Sequence, residues 1–461
     1  MAKADEHQQE WYERSHATIR DELLATTGVS PRLRLIIIGL FALGAVGIAA
    51  LIVKLTLFDG EQARWGYIAG LFSFVVSMSS AAPVLYIGSF LAKGYWGRAI
   101  SRVASLFALG GVVSAILLIP LVIQLPSLYT GGLLRRTIWF EAPAYSPHVW
   151  IFIALGTVIV AGLLLLYVNA LPDLALLRET ATGRRQRWAK ILARGWIGTD
   201  VQWRIVRATT GSLVILYLLS AALLHIQVSS DFSMSLVPGW RDAIYPVYHF
   251  VTAIQLGIAA LIIACYLATR CFGMSRYLTQ DHFWNMGRFL FANTLGWIYL
   301  FFSGFIVFWY GRSGADIAVL DLTVRGPMLW AMILTILFAF ILPWWWLIWN
   351  RVRNSVTGPV IGATFVVIGI FFDRLRLFVP AWSVPEAQIN DRFLMAIPGF
   401  VAPDIWDFIV GVGALALVAA LILTATRLVP IVPIWQALEY KLLVRSVKYV
   451  RARGVLIAKQ D

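Results

Sequence analysis

The chain has 461 residues, 60% of them hydrophobic and 13% charged, with a mean hydropathy of +0.77. A soluble domain carries about 25% charged residues, so the composition excludes a soluble globular protein and describes an integral membrane protein that crosses the bilayer repeatedly. The net charge of +14 raises nucleic acid as a partner, which the placement of the charges argues against.

The opening run MAKADEHQQEWYERSHATIRDELL is polar and mixed in charge. It lacks a short apolar core followed by small residues, so it reads as a cytoplasmic tail with a short surface helix, not as a cleavable signal peptide. Ten runs of about 20 apolar residues follow, the length a helix needs to span the hydrocarbon core. They cover 35–57, 66–92, 103–124, 148–168, 205–226, 246–269, 289–311, 328–350, 359–380 and 405–427. Barrel strands are shorter and alternate, so the spans are helices.

The loops divide into two sets. The N-terminal tail, loops 93–102, 169–207, 270–288 and 351–353, and the chain from Arg427 onward hold 28 Lys and Arg; the loops of the other set hold 7. Under the positive-inside rule this puts both termini in the cytoplasm. It also accounts for the net charge without nucleic acid.

Spans two to five and six to nine each run out-in-out-in-out, which predicts two four-helix bundles of one orientation flanked by spans one and ten. The expected division is a tail at 1–34, a flanking helix and outer loop at 35–65, a first bundle at 66–226, a second bundle with its outer connecting loop at 227–380, a flanking helix at 381–427 and a cytoplasmic C-terminal tail at 428–461. Cys265 and Cys271 form no CxxC and read as packing residues. No metal motif is present. The tryptophan-rich PWWWLIWN at 343–350 belongs to an interfacial belt.

Ionisable residues inside spans are costly and are functional candidates. Lys54 lies about one turn from the outer end of span one, where snorkelling is expected. Asp373 and Arg374 are adjacent in span nine, point about 100° apart and need partners on other helices. A structural ion-pair network and a proton path both fit them. Asp173 follows Pro172 just past span four, where it serves either as the cap of a next helix or as an inner-face proton port. His148, His225 and His249 fall at outer ends of spans. With Asp231 and Tyr248 they form either an interfacial belt or a proton-accepting patch. No pair of histidines lies deep in two spans, as a bis-histidine haem requires, so no haem is expected in this chain.

Several stretches together resemble the membrane subunits of the NrfD/polysulfide-reductase family, and are most similar to the quinol-oxidising NrfD-like subunit of bacterial alternative complex III. They are LLYVNALPDLALLRE at 165–179, HIQVSSDFSMSLVPGWRDAIYPVY at 225–248, SRYLTQDHFWNMGRFLFANTLGWIYLFFSGFIVFWYG at 275–311, GIFFDRLRLFV at 369–379 and RLVPIVPIWQALE at 427–439. The resemblance implies about ten helices in two bundles, and a bound quinol (menaquinone or ubiquinone) near the outer face. It further implies electron transfer to an iron–sulfur subunit, a second NrfD-like membrane subunit, and multihaem cytochrome c subunits in a bacterial plasma membrane.

Family members carry histidines in the second and third spans. Here SFVVSMSSAAPVLYIG and IPLVIQLPSLY offer Ser79, Ser80 and Gln124, which hydrogen-bond a carbonyl but do not take its proton near neutral pH. Proton acceptance then falls to His225 and Asp231, quinone binding to Ser79, Gln124, Tyr129, His148, Tyr248 and His249, and a proton route to Asp173, Asp373 and Arg374. Two alternatives stay open: the membrane anchor of a molybdopterin oxidoreductase, and a structural subunit with an inactive quinone site. A secondary transporter is disfavoured because no pair of broken spans is evident in the two halves.

Overall fold

The computed structural model describes residues 15–28, 30–130, 132–385, 388, 391–449 and 452–457. The chain is an all-α, multi-pass membrane protein. A short helix α1 (His16–Ala25) precedes α2 (Pro31–Leu57) and α3 (Gly66–Leu91). Helix α4 (Gly97–Leu106) runs through a 3₁₀ turn into α5 (Gly110–Gln124). A small hairpin β1 (Tyr129–Thr130) and β2 (Leu133–Leu134) leads to α6 (His148–Thr180), α7 (Gly183–Ala193) and α8 (Asp200–Phe232). Then come α9 (Ile244–Cys271), α10 (Gln280–Gly311), α11 (Gly314–Leu320), α12 (Leu329–Thr335), α13 (Leu342–Leu347) and α14 (Asn350–Arg353). The chain closes with α15 (Thr357–Trp382), α16 (Ile405–Ala425), α17 (Ile434–Leu443) and a hairpin β3 (Val444–Tyr449) and β4 (Ala452–Ile457).

Among the described residues nine helices are long and apolar enough to cross a membrane: α2, α3, α4–α5, α6, α8, α9, α10, α12–α13 and α16. Helix α15 is 26 residues long and carries Asp373, Arg374 and Arg376 in its second half.

Small residues set the packing. Helix α3 is the hub, buried along nearly its whole length and packed on α9 and α15. A Cβ at Gly257 of α9 falls 2.5 Å from the backbone of Ala81 and Ala82 in α3, so only glycine permits that approach. The hub therefore joins the two expected bundles through one shared interface. The flanking helices α2 and α16 pack on each other, with a Cβ at Gly47 only 2.7 Å from Gly413 Cα. At the far end of that pair Lys54 is fully buried and bonds Asp404 (2.7 Å) and Asp407 (2.6 Å). The snorkelling expected of Lys54 is thereby corrected. The α2–α16 pairing brings two carboxylates within reach, and an ammonium so placed is held by ion pairing instead of by water.

The lysine- and arginine-rich loops gather at one end, here the basic end. Two departures from the expected layout lie there. Helix α6 passes through Pro172 to Thr180 without a break, so Asp173 does not cap a next helix in sequence. It accepts instead from the backbone N–H of Ile434, at the start of α17 (3.2 Å), and from the buried Arg102 (2.8 Å). The short helix α1 is docked, with Ile19 and Leu23 fully buried and Glu22 accepting from the Tyr277 hydroxyl at 2.8 Å.

Span eight is not a regular helix. Residues Ile336–Ile341 are π-wound, and Pro343 supplies no N–H to Ala339, its i−4 carbonyl. Gln255 of α9 donates to that freed oxygen at 3.0 Å.

Candidate functional site: a buried polar chain between the bundles

Helix α8 outruns its predicted apolar stretch. It continues through the polar QVSSDF to Phe232, because those residues are buried in protein and not in lipid. His225 therefore lies two turns inside the helix end, fully buried. His249, about one and a half turns into α9, is also fully buried. The two imidazoles face each other with Nδ1 atoms 3.2 Å apart and ring centroids 5.2 Å apart. The expectation that no histidine pair meets deep in two spans is thereby corrected. At that separation no macrocycle fits between the rings.

Each outer nitrogen ends on a serine of α3. His225 Nε2 meets Ser80 Oγ at 2.9 Å and His249 Nε2 meets Ser73 Oγ at 2.9 Å. The Ser80 hydroxyl is already committed as a donor to Val76 O (2.6 Å). It follows by assignment that His225 donates from Nε2 and accepts at Nδ1, that His249 donates from Nδ1, and that its Nε2 accepts from Ser73. Two neutral imidazoles so arranged are a relay: a proton taken at one end and released at the other reverses every bond between.

A second buried group lies beside this pair on α15 and α9. Arg374 Nη2 donates to the His249 carbonyl and to Ser77 Oγ, both at 3.2 Å. Asp373 Oδ1 accepts from the Tyr248 hydroxyl (2.6 Å) and from Arg376 Nη2 (2.6 Å), and Arg376 also donates to the Tyr248 oxygen at 3.0 Å. Arg374 Nη1 stands 3.9 Å from Asp373 Oδ2. All of these side chains are buried. Two guanidiniums and one carboxylate thus share one site. Asp373 Oδ2, Arg374 Nε and Nη1, and Arg376 Nε have no hydrogen-bond partner among the protein atoms, the signature of a site hydrated or liganded in use.

A cavity of about 70 Å³ adjoins this group, lined by Tyr248, Arg376, Tyr245, Trp240, Phe301 and Asp242 among others. It has room for a few waters. Asp242, in the connection before α9, accepts from the backbone N–H of Ile244 (2.7 Å) and Tyr245 (3.0 Å). Burial pushes its carboxyl above the ordinary carboxylate value, against the pull of those bonds and of Trp240.

The other expected residues are not gathered here. Asp231 is fully buried but bonds Thr137 of the 125–147 connection, and six residues of helix, about 9 Å, separate it from His225. Gln124 is committed to Asp59 (2.8 Å) and to the N–H of Gly60 (3.0 Å). Ser79 bonds Val76 O at 3.3 Å and touches Ser114 at 3.5 Å. Tyr129 is 54% exposed in the small hairpin, and His148 is half-buried at the start of α6. Asp173 belongs to the basic end, away from Asp373 and Arg374. Of the quinone-binding and proton-route candidates, only Tyr248, His249, Asp373 and Arg374 meet, together with His225.

Sequence reasoning missed Ser73 and Ser77. The signal for the serines was present: with Ser80 they fall at i, i+4 and i+7, one face of α3. Comparison of the chain with protein-family models and with curated proteins finds no match, so the functional reading rests on this geometry and on the resemblance noted above.

Proposed function

We propose that the protein is an integral membrane subunit of a quinol-oxidising electron-transfer complex of the NrfD-like type. In this reading it has ten spans, α15 among them, and lies in a bacterial plasma membrane with both termini and the basic end in the cytoplasm. Its partners are an iron–sulfur subunit, a second NrfD-like subunit and multihaem cytochrome c. The observation that carries the reading is a pair of buried polar groups in contact: Ser80–His225–His249–Ser73, and Arg374, Asp373, Tyr248 and Arg376, which meets the first only where Arg374 donates to the His249 backbone carbonyl. Intramembrane ionisable residues are expensive and mark proton relays and ligand sites, and here two such groups lie side by side on α3, α8, α9 and α15. The water-sized cavity beside Tyr248 links the second group toward Asp242 and the outer face.

Quinol supplies two electrons and two protons when oxidised. Ring binding is assigned to a surface shared with a partner subunit. What this chain does is hold and move protons. His225 and His249 pass them by exchanging donor and acceptor roles, Arg374 keeps the second imidazole in place through its carbonyl, and Asp373 with Tyr248 forms the neighbouring group on the outer side.

One observation favours a second reading, a structural subunit with an inactive site: Ser79 and Gln124 are spent on intramolecular bonds. A single experiment separates the two. The complex is purified with its partners, and quinol oxidation and proton release are followed in vesicles for native protein and for His225→Phe and His249→Phe. Quinol oxidation and the proton release coupled to it slowing together by tenfold or more in both variants, with the complex still assembled, supports the relay. Unchanged release leaves the structural reading. Co-purification of a molybdenum subunit in place of multihaem cytochrome redirects the assignment to a molybdopterin oxidoreductase anchor.

A further inference from the structure

A large cavity elsewhere on the molecule takes no part in the relay. It measures about 870 Å³ and opens at the basic end between the ends of α3, α4 and α8. Its floor is α17, pinned by long-range bonds. The Trp435 indole N–H donates to Asn169 O at 3.2 Å, Ser101 donates to Gln436 at 2.5 Å, and Arg98 pairs with Glu439 at 2.8 Å. Asp173, held by Arg102, accepts from the first N–H of the helix, as described above. Trp435 in turn packs edge-on against Trp203 of α8, centroids 5.4 Å apart.

The lining is of two kinds. Phe90, Leu91 and Val206 present an apolar wall, whereas Lys93, Arg98 and Arg207 bring three cations against the single carboxylate of Glu439. Lys93 and Arg207 are exposed at the rim. Deeper in the lining stands Thr210, 3% exposed, whose hydroxyl has no hydrogen-bond partner. A helical threonine ordinarily satisfies its hydroxyl on the i−4 carbonyl. An apolar slot with a cationic mouth, a spare buried hydroxyl and a position in the leaflet where acidic lipids concentrate matches an amphiphile with an anionic head.

We propose that this cavity binds one acidic phospholipid of the cytoplasmic leaflet. Its phosphate sits at the rim on Lys93, Arg98 and Arg207, and a chain lies along Phe90, Leu91 and Val206. Thr210 donates to an ester oxygen where head meets chain. Because α17 forms the floor, the lipid clamps the end of the chain to the bundle. The inference goes beyond the electron-transfer reading and rests on one part of it, the cytoplasmic placement of the basic end.

The test uses the full-length protein in nanodiscs of phosphatidylcholine mixed equally with phosphatidylglycerol. Lipid retained after release into detergent is counted by native mass spectrometry. Phosphatidylglycerol is expected to be retained in preference to phosphatidylcholine. Each basic group near an anionic head contributes about fivefold, so the double variant Lys93→Gln/Arg207→Gln is expected to lose retention by roughly 25-fold. Both positions are exposed, so folding is spared, and Thr210→Leu provides an independent variant with reduced retention. Equal retention of the two lipids overturns the proposal, as does full retention by the double variant. Displacement by glycerol phosphate assigns the site to a soluble anion, and displacement by a short-chain quinone assigns it to quinone; either also overturns it.

Discussion

Asp373 neutralises a site that also holds Arg374 and Arg376, with none of the three more than a few per cent exposed. Removing one partner of a buried ion pair strands the others, at a cost of about 3–5 kcal/mol. Asp373→Asn is therefore expected to destabilise the folded protein by about that amount, measured by denaturant titration in micelles. Asp373→Leu combined with Arg376→Met is expected to recover part of the loss, since the stranded guanidinium is removed too. Equal stability of Asp373→Asn and native protein would show that the site is held by something other than charge. Asp242 gives a pH-dependent counterpart. Burial raises its folded value above that of the unfolded chain. The stability it confers is complete below the ordinary carboxylate value of 3.8 and is lost as pH rises through the higher folded value. Asp242→Asn is expected to flatten that part of the stability–pH curve, and an unchanged slope would assign it to another group. Sequence pattern singled out Asp373 and Arg374 because charges within an apolar run are conspicuous. It misjudged Lys54, whose partners Asp404 and Asp407 lie at the other end of the chain. Nothing local to Lys54 encodes that α2 and α16 are neighbours.

Helices in this protein end where their burial ends, not where their hydropathy does. The apolar stretch of α8 stops near residue 226, yet the helix continues to Phe232 because the polar turn is covered by the 125–147 connection, whose Thr137 bonds Asp231, and by α15, where Trp382 donates to the Phe232 carbonyl at 2.9 Å. An apolar window locates a span but is blind to polar turns enclosed by protein. This is why His225 reads as a helix end in sequence and is the middle of a relay in structure. Span eight shows the converse. Its length was legible, but the π-wound segment was not, although Pro343 marks the carbonyl that must find another donor. Gln255 serves Ala339 O at 3.0 Å and Thr294 Oγ1 at 3.1 Å. Gln255→Leu leaves that carbonyl buried and unpaired, for an expected loss of about 1–3 kcal/mol. Thermal unfolding of the variant in detergent provides the measurement, and an unshifted midpoint would mean that the π-winding satisfies the carbonyl without help.

At the scale of the whole molecule, two asymmetries have to agree. Lysine and arginine crowd the loops of one end 28 to 7, and the same end holds the docked α1, the pinned α17 and the large cavity. The relay, by contrast, lies toward the opposite end, where Asp242 and the small cavity open. If the basic end is cytoplasmic, the relay exchanges protons with the outer compartment, and the cavity faces the leaflet rich in acidic lipid. A reversed orientation would exchange those compartments and undo both arguments. The protein carries its own probe for this. Cys271 is exposed at the last residue of α9, on the basic end, while Cys265, less than two turns earlier, is fully buried. In sealed right-side-out vesicles a membrane-impermeant maleimide is expected to leave the native protein unlabelled, and in inverted vesicles to label one cysteine. Cys271→Ser should abolish that labelling, and denaturation should then reveal Cys265. Labelling from the outside would invert the topology, and with it the direction in which the histidine chain can pass protons.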